Sequence, residues 1–269
     1  MVTVWAGLIT FIATTVLTLA GVGAAFILIP VYLALGIELH VAMSTALLLN
    51  SIAMLFASIN FARQRLILWK LALPILIAAT ILSPLGAYLS QYVPHKILLA
   101  LFVAFLVFAA SMMLFYKPGK AAKQLRQEMT SAGAAVVAGE AEQAAAGEKA
   151  QVIIGVLVGA FAGFLGGLLG VGGGNFIVPA LVWLGIQPKR ASATTSFVVL
   201  FSSLSGFLGR VSLGHLSINL LLFTAAGSIA GALLGSWLLG RKLQNQQVKT
   251  AIGAILYIVA AKMLFDLLK

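Results

Sequence analysis

Long apolar runs, broken at regular places, set the pattern of this chain. They predict ten hydrophobic segments, at roughly 3–20, 23–36, 40–61, 67–90 and 96–116, and again at 151–169, 173–186, 190–209, 215–239 and 247–267. Most are long enough for the roughly 20 helical residues that cross a bilayer. The second and seventh are short. About 14 residues of helix rise only about 21 Å, against an apolar membrane core of about 30 Å. Both are therefore expected as re-entrant or broken half-helices, which a bilayer tolerates only where protein or a wet cavity surrounds them. Between the two sets lies 117–150, rich in Ala, Gly, Glu, Lys and Gln and holding Glu128, Glu140, Glu142 and Glu148. Its composition predicts a mobile or weakly helical linker.

The two sets repeat one another without a gap. Gly21-Val22-Gly23 runs on to Pro30 and Gly36-Ile37; 149 residues later, Gly170-Val171-Gly172 runs on to Pro179 and Gly185-Ile186. At the same offset Thr45 meets Thr194, Gly86 meets Gly235 and Tyr88 meets Trp237. The Gly and Pro matches weigh most, because those residues set backbone geometry. The chain is expected to be two fused copies of one unit, 1–116 and 151–269.

Composition fixes the solvent. The chain has 269 residues, 62% of them hydrophobic and 9% charged, with a mean hydropathy of +1.11. Soluble domains carry about 25% charged residues. The expected class is an all-α polytopic membrane protein in contact with the lipid bilayer. A net charge of +11 would suggest nucleic acid in a soluble protein. Here, without a basic stripe and interleaved aromatics, it reads as the positive bias of cytoplasmic loops, and no nucleic-acid partner is expected. No Lys or Arg precedes Arg63, so the first segment is expected as a retained helix rather than a cleaved signal.

Those loop charges also give orientation. In the first copy Arg63, Arg65 and Lys70 lie between segments three and four, and Lys117, Lys120, Lys123 and Arg126 follow segment five. In the second copy the basic loops change place. Lys189 and Arg190 lie between segments seven and eight, and Arg241, Lys242 and Lys249 surround the start of segment ten. With Lys149, these are thirteen of the seventeen Lys and Arg. The swap is expected of two five-segment copies inserted in opposite orientations. It predicts two inverted repeats in the cytoplasmic (inner) membrane, the linker 117–150 inside and both termini outside.

Candidate chemistry gathers at the repeated break. Gly170, Gly172, Gly173 and Gly174 crowd five positions ahead of Asn175. Mid-helix glycines cost about 1 kcal/mol each relative to Ala, so the helix is expected to break there and expose amide N–H groups at the next helix start, a ready anion site. Gly21, Gly23, Ala24 and Ala25 are the degenerate counterpart. Hydroxyls open the following segments: Ser44 and Thr45, with Asn50 and Ser51 beyond; and Ser192, Thr194, Thr195 and Ser196. They can hydrogen-bond an oxyanion or coordinate Na+; the competing roles are capping and back-bonding. Ser202, Ser203 and Ser205 read as capping or back-bonding. Gly155, Gly159, Gly163 and Gly167, like Gly227, Gly231 and Gly235, recur every fourth residue as helix-packing faces. Arg210 reads as snorkelling to headgroups, with attraction of an anion to the outer mouth as the alternative. His40, His95 and His215 read as interfacial.

Other classes find little support. The Lys-Ser/Thr ending of a phosphate-binding loop is missing. Cysteine is absent and the three His are scattered, so no metal site or other cofactor is expected. No Ser/His/Asp set or carboxylate pair is visible, so no catalytic residue and no enzyme is expected. The absence of a mid-membrane carboxylate disfavours proton coupling through such a group.

At Gly170-Val171-Gly172-Gly173-Gly174-Asn175-Phe176-Ile177-Val178-Pro179, Leu184-Gly185-Ile186 and Ala191-Ser192-Ala193-Thr194-Thr195-Ser196 the chain resembles the TauE/SafE, or sulfite exporter, family. The resemblance covers all but the linker. The first copy departs from the fuller motif, with Ala24-Ala25 where the second has Gly173-Gly174. The resemblance implies export or uptake of small sulfur-containing anions such as sulfite, sulfoacetate or thiosulfate. It also implies about eight full spans, matching ten segments if the short ones do not cross. The expected function is a secondary transporter working by alternating access, with Na+ or H+ as candidate coupling ions and a homo-oligomer as an allowed assembly. A passive anion channel and a substrate-free membrane scaffold are the alternatives.

Overall fold

The computed structural model describes residues 2–19, 21, 25, 28–29, 32, 37, 39–90, 92, 94, 100, 103–104, 107–108, 110–111, 114–115, 141–210 and 218–268. Gly23, Ala24, Pro30, Gly36, His95, His215 and the linker stretch 117–140 lie outside them, as do most of segments two and five. The side chains of His40 and Arg210 are likewise outside the description.

Eight helices run through the described residues: α1 (Val2–Leu19), α2 (Leu39–Arg63), α3 (Trp69–Leu89), α4 (Ala141–Leu169), α5 (Gly174–Trp183), α6 (Pro188–Arg210), α7 (Ile218–Arg241) and α8 (Asn245–Leu268). Five stretches are long and apolar enough to cross a membrane, within α2, α3, α4, α6 and α7. Helix α4 begins at Ala141, so the last ten residues of the expected linker are helical. Helix α5 has ten residues and rises only about 15 Å: the short seventh segment is a half-helix.

Polarity is inside out. Large apolar side chains line the outside, with Ile81 62% and Leu157 66% exposed, while Thr14, Thr45, Asn50, Asn175, Thr195 and Ser202 are buried. A lipid solvent favours that distribution, because apolar side chains lose nothing by facing acyl chains.

Where both motif copies are described, they fold alike. Gly21 and Gly170 both adopt positive φ, +68° and +70°. Each ends its helix with a matching bond, Gly21 N–H to Thr18 O at 3.0 Å and Gly170 N–H to Gly167 O at 3.1 Å. The Ile37 amide donates to Tyr32 O, and the Ile186 amide to Leu181 O, both at 3.0 Å. These are the six-to-one bonds that close a helix at a glycine. Gly21 and Gly170 therefore mark where a long helix stops, and Gly185, at φ +86°, where α5 has ended.

Packing then joins the halves crosswise. Gly155, Gly159, Gly163 and Gly167 of α4 sit against Pro74, Ile75, Ala79 and Ser83 of α3. Gly227, Gly231 and Gly235 of α7 sit against Gly7, Phe11 and Thr15 of α1. Both ladders advance in step, so each pair is parallel. The pairs are equivalent residue by residue: a Cβ added at Gly86 would strike Phe164 O, and one added at its counterpart Gly235 would strike Thr15 O, the counterpart of Phe164. Helices α2 and α6 are themselves counterparts and cross in opposite directions. Leu47 lies by Gly206, the Asn50 amide donates to Ser203 Oγ at 2.9 Å and the Ser51 hydroxyl to Leu200 O at 3.1 Å. Equivalent helices running antiparallel make the repeats inverted. Ser51 and Leu200 are each other's counterparts, so the pseudo-dyad passes through their contact.

One end of the bundle collects charge. Gln64 Nε2 donates to Ser236 O at 3.4 Å, Lys189 Nζ to Gly240 O at 3.4 Å, and the Lys189 amide to Asn245 Oδ1 at 3.4 Å. The end of α2 and the starts of α6 and α8 thereby meet the end of α7. They bring Arg63, Arg65, Lys189, Arg190, Arg241, Lys242 and Lys249 to that end.

Candidate functional site

The site is built where α4 stops and α5 begins. The chain leaves α4 through Gly170, Gly172 and Gly173, with φ of +70°, +78° and +77°. L side chains rarely adopt such angles. Space is equally short: a Cβ on Gly172 would overlap Ser203 Oγ, and one on Gly173 would lie 2.7 Å from Ala162 O. The break is braced by the Ser202 hydroxyl, which donates to Gly172 O at 3.0 Å.

Helix α5 starts with Gly173 at its N-cap and no side-chain cap. The amides of Phe176 and Ile177 turn back to Gly173 O. Among the described residues, those of Gly173, Gly174 and Asn175 find no acceptor. Asn175 is 1% exposed and its Nδ2 also has no partner. Three backbone donors and one side-chain donor thus stand buried at the positive end of a helix dipole, equivalent to roughly half a charge. Each unmade bond costs about 1–3 kcal/mol, so an occupant that accepts hydrogen bonds stabilises the site.

The surroundings are neutral and hydroxyl-rich. Gly172 sits against Asn50 and Ser203, the middle of the α2–α6 crossing. Gly170 sits against Met43 of α2, and its counterpart Gly21 against Ser192 of α6, the counterpart of Met43. Each break therefore abuts the hydroxyl-bearing helix start of the opposite half. Ala25 is buried with Leu28, Tyr32, Ala42, Ala46 and Leu49.

The hydroxyls named from sequence divide. Thr45 and Thr195 are fully buried and their Oγ1 atoms lack a partner, as does Ser192 Oγ. Thr194 Oγ1 instead accepts the Leu68 amide at 3.1 Å, tying α6 to the loop after α2. The Ser196 hydroxyl back-bonds to Ser192 O at 2.9 Å. Thr45 and Thr194 each lie six residues from the dyad, roughly 9 Å along their helices and on opposite sides of it. No small anion touches both at once. Asn50, Ser202 and Ser203 also line the glycine break, and sequence reasoning left them out of the binding set. The signal that marks Asn50 is an amide in the middle of an apolar helix, which needs a partner. Among the described residues, no group of His, Asp or Glu could hold a metal ion.

Comparison with known proteins agrees with this architecture. The family model described as sulfite exporter TauE/SafE matches residues 6–263. The probable membrane transporter protein YunE of Bacillus subtilis (strain 168) is 26% identical over 269 residues, covering 95% of this chain and 94% of its own. The probable membrane transporter protein MJ0441 of Methanocaldococcus jannaschii is 25% identical, covering 94% and 92%. A shorter match, 45% identical over 64 residues, is to sulfite exporter TauE/SafE family protein 1 of Arabidopsis thaliana; it covers 24% of this chain and 14% of that protein. No solved structure matches. The chain belongs to the sulfite exporter TauE/SafE family of multi-pass membrane transporters.

Proposed function

We propose that this protein is a secondary transporter that carries small sulfur-containing oxyanions or organosulfonates, such as sulfite or sulfoacetate, across the cytoplasmic membrane by alternating access between its inverted halves. The observation that carries the reading is the set of buried donors without acceptors at Gly173, Gly174 and Asn175. An oxyanion offers acceptors on several oxygens, so it satisfies these donors together where a cation satisfies none.

The binding set is Gly170, Gly172, Gly173, Gly174 and Asn175, with Gly21, Gly23, Ala24 and Ala25 as the weaker counterpart. Thr45 on one side of the dyad, and Thr194 and Thr195 on the other, serve as successive stations rather than one cage; Ser196, whose hydroxyl is given to Ser192 O, lines the second station without donating to the anion. Neutral donors suit transport: they replace part of the hydration shell, yet hold the anion weakly enough for release. The basic end of the bundle faces the cytoplasm under the positive-inside rule, with the linker on that side and both termini outside.

Purified protein in proteoliposomes tests the reading. Uptake is measured with sulfite, sulfoacetate, thiosulfate and sulfate, with and without Na+ or pH gradients. Saturable flux of at least one sulfur anion is expected. Flux that rises without saturation identifies a passive pore, and none for any anion removes the transporter reading.

A further inference from the structure

The break has a second face, made of acceptors. Helix α4 ends at Leu169, and the carbonyls of Leu168, Leu169, Gly170 and Val171 receive no hydrogen bond among the described residues. The Gly172 carbonyl is engaged by Ser202, and the Gly166 carbonyl by the amides of Val171 and Gly172. The free carbonyls form the negative end of the α4 dipole. Asn50 supplies an independent observation. Its residue exposure is 0%, its Nδ2 is held by Ser203 and lies 3.0 Å from the Cβ position of Gly172, and its Oδ1 has no partner. A buried amide whose oxygen has no partner thus packs on Gly172, the residue that follows the run of unsatisfied carbonyls.

We propose that Asn50 Oδ1 and the terminal carbonyls of α4, Leu168 to Val171, form a binding site for a monovalent cation, Na+ by its ligand chemistry. The ligands are neutral oxygens, which suit a hard cation. No Asp or Glu occurs between Glu38 and Glu128 or between Glu148 and Asp266, so a divalent ion would find no carboxylate there, and divalent sites draw on carboxylates. Unwound carbonyls at a half-helix end are the groups that hold coupling ions in other broken-helix carriers, while the next helix start takes the anion. The inference rests on the transport reading for its role: the cation offsets the charge of an anion bound at Gly173–Asn175, a site with no fixed positive charge of its own.

The test uses the full chain in detergent with no sulfur anion present. Melting temperature is followed as NaCl replaces choline chloride at constant ionic strength. A saturable rise with Na+ is expected, absent with choline and lost in Asn50→Leu. Should Asn50→Leu fail to fold, Asn50→Asp places a carboxylate at the same point, and half-saturation at a Na+ concentration at least tenfold lower is expected. No rise as Na+ replaces choline overturns the site, as does unchanged half-saturation in either variant. Because no anion takes part, that failure leaves anion flux standing; absent flux with the Na+ response intact removes the transport reading and leaves the cation site.

Discussion

Asn175, Thr195 and Ser202 separate function from stability at the level of single side chains. Asn175 Nδ2 and Thr195 Oγ1 are buried without partners. Removing an unsatisfied buried group relieves a desolvation penalty of about 1–3 kcal/mol. Thr195→Val is therefore expected to raise the melting temperature in detergent while lowering anion flux. A fall in both would show that the hydroxyl serves the fold alone. Ser202→Ala is the converse case, since its hydroxyl holds Gly172 O at 3.0 Å. A loss of about 1 kcal/mol is expected, together with weaker transport, measured by thermal unfolding and by flux. The glycine break was legible in the sequence because four glycines in five positions have no other comfortable reading. The roles of Ser202 and Thr194 were not. A hydroxyl that back-bonds, caps a loop or faces a substrate leaves the same letter in the sequence, and only the neighbouring helix decides between them.

Among the helices, the glycine ladders act as contact surfaces between halves. Both ladders were readable as packing faces from their four-residue spacing. Their partners were not, because spacing says nothing about which helix lies opposite. Both ladders lie in the second repeat and both pack on helices of the first, α3 and α1. The match of Gly86 on Phe164 O with Gly235 on Thr15 O gives a paired prediction. Gly86→Ala and Gly235→Ala each drive a methyl into backbone, and overpacking of this kind costs about 1–3 kcal/mol. Both variants are expected to lose stability, by comparable amounts, in thermal unfolding. A neutral result at one position would break the equivalence of the two interfaces. The asymmetry lies elsewhere: Tyr32 OH bonds Thr224 Oγ1 at 3.0 Å, whereas the counterparts Leu181 and Ile75 belong to the apolar core.

For the whole molecule, the swapped basic loops predicted opposite insertion, and the antiparallel crossing of α2 and α6 gives that inversion a physical axis at Ser51 and Leu200. Sequence reached the inversion because charge reports which side a loop faces. It did not reach the crosswise pairing of α1 with α7 and α3 with α4, which depends on shape rather than charge. The orientation itself is open to labelling, since the chain has no cysteine. A single cysteine at Gly133 should react with impermeant maleimide only after the cells are opened, and one at Thr3 should react in intact cells. The reverse pattern would turn the molecule over. The central claim, that the glycine break between inverted halves is where the anion is carried, has a sharper test. Sulfite exchange is measured in proteoliposomes holding equal amounts of wild type and of the double variant Gly172→Val, Gly173→Val, both verified as inserted. Saturable exchange by the wild type and none by the variant is the predicted result; equal exchange by both would contradict the account.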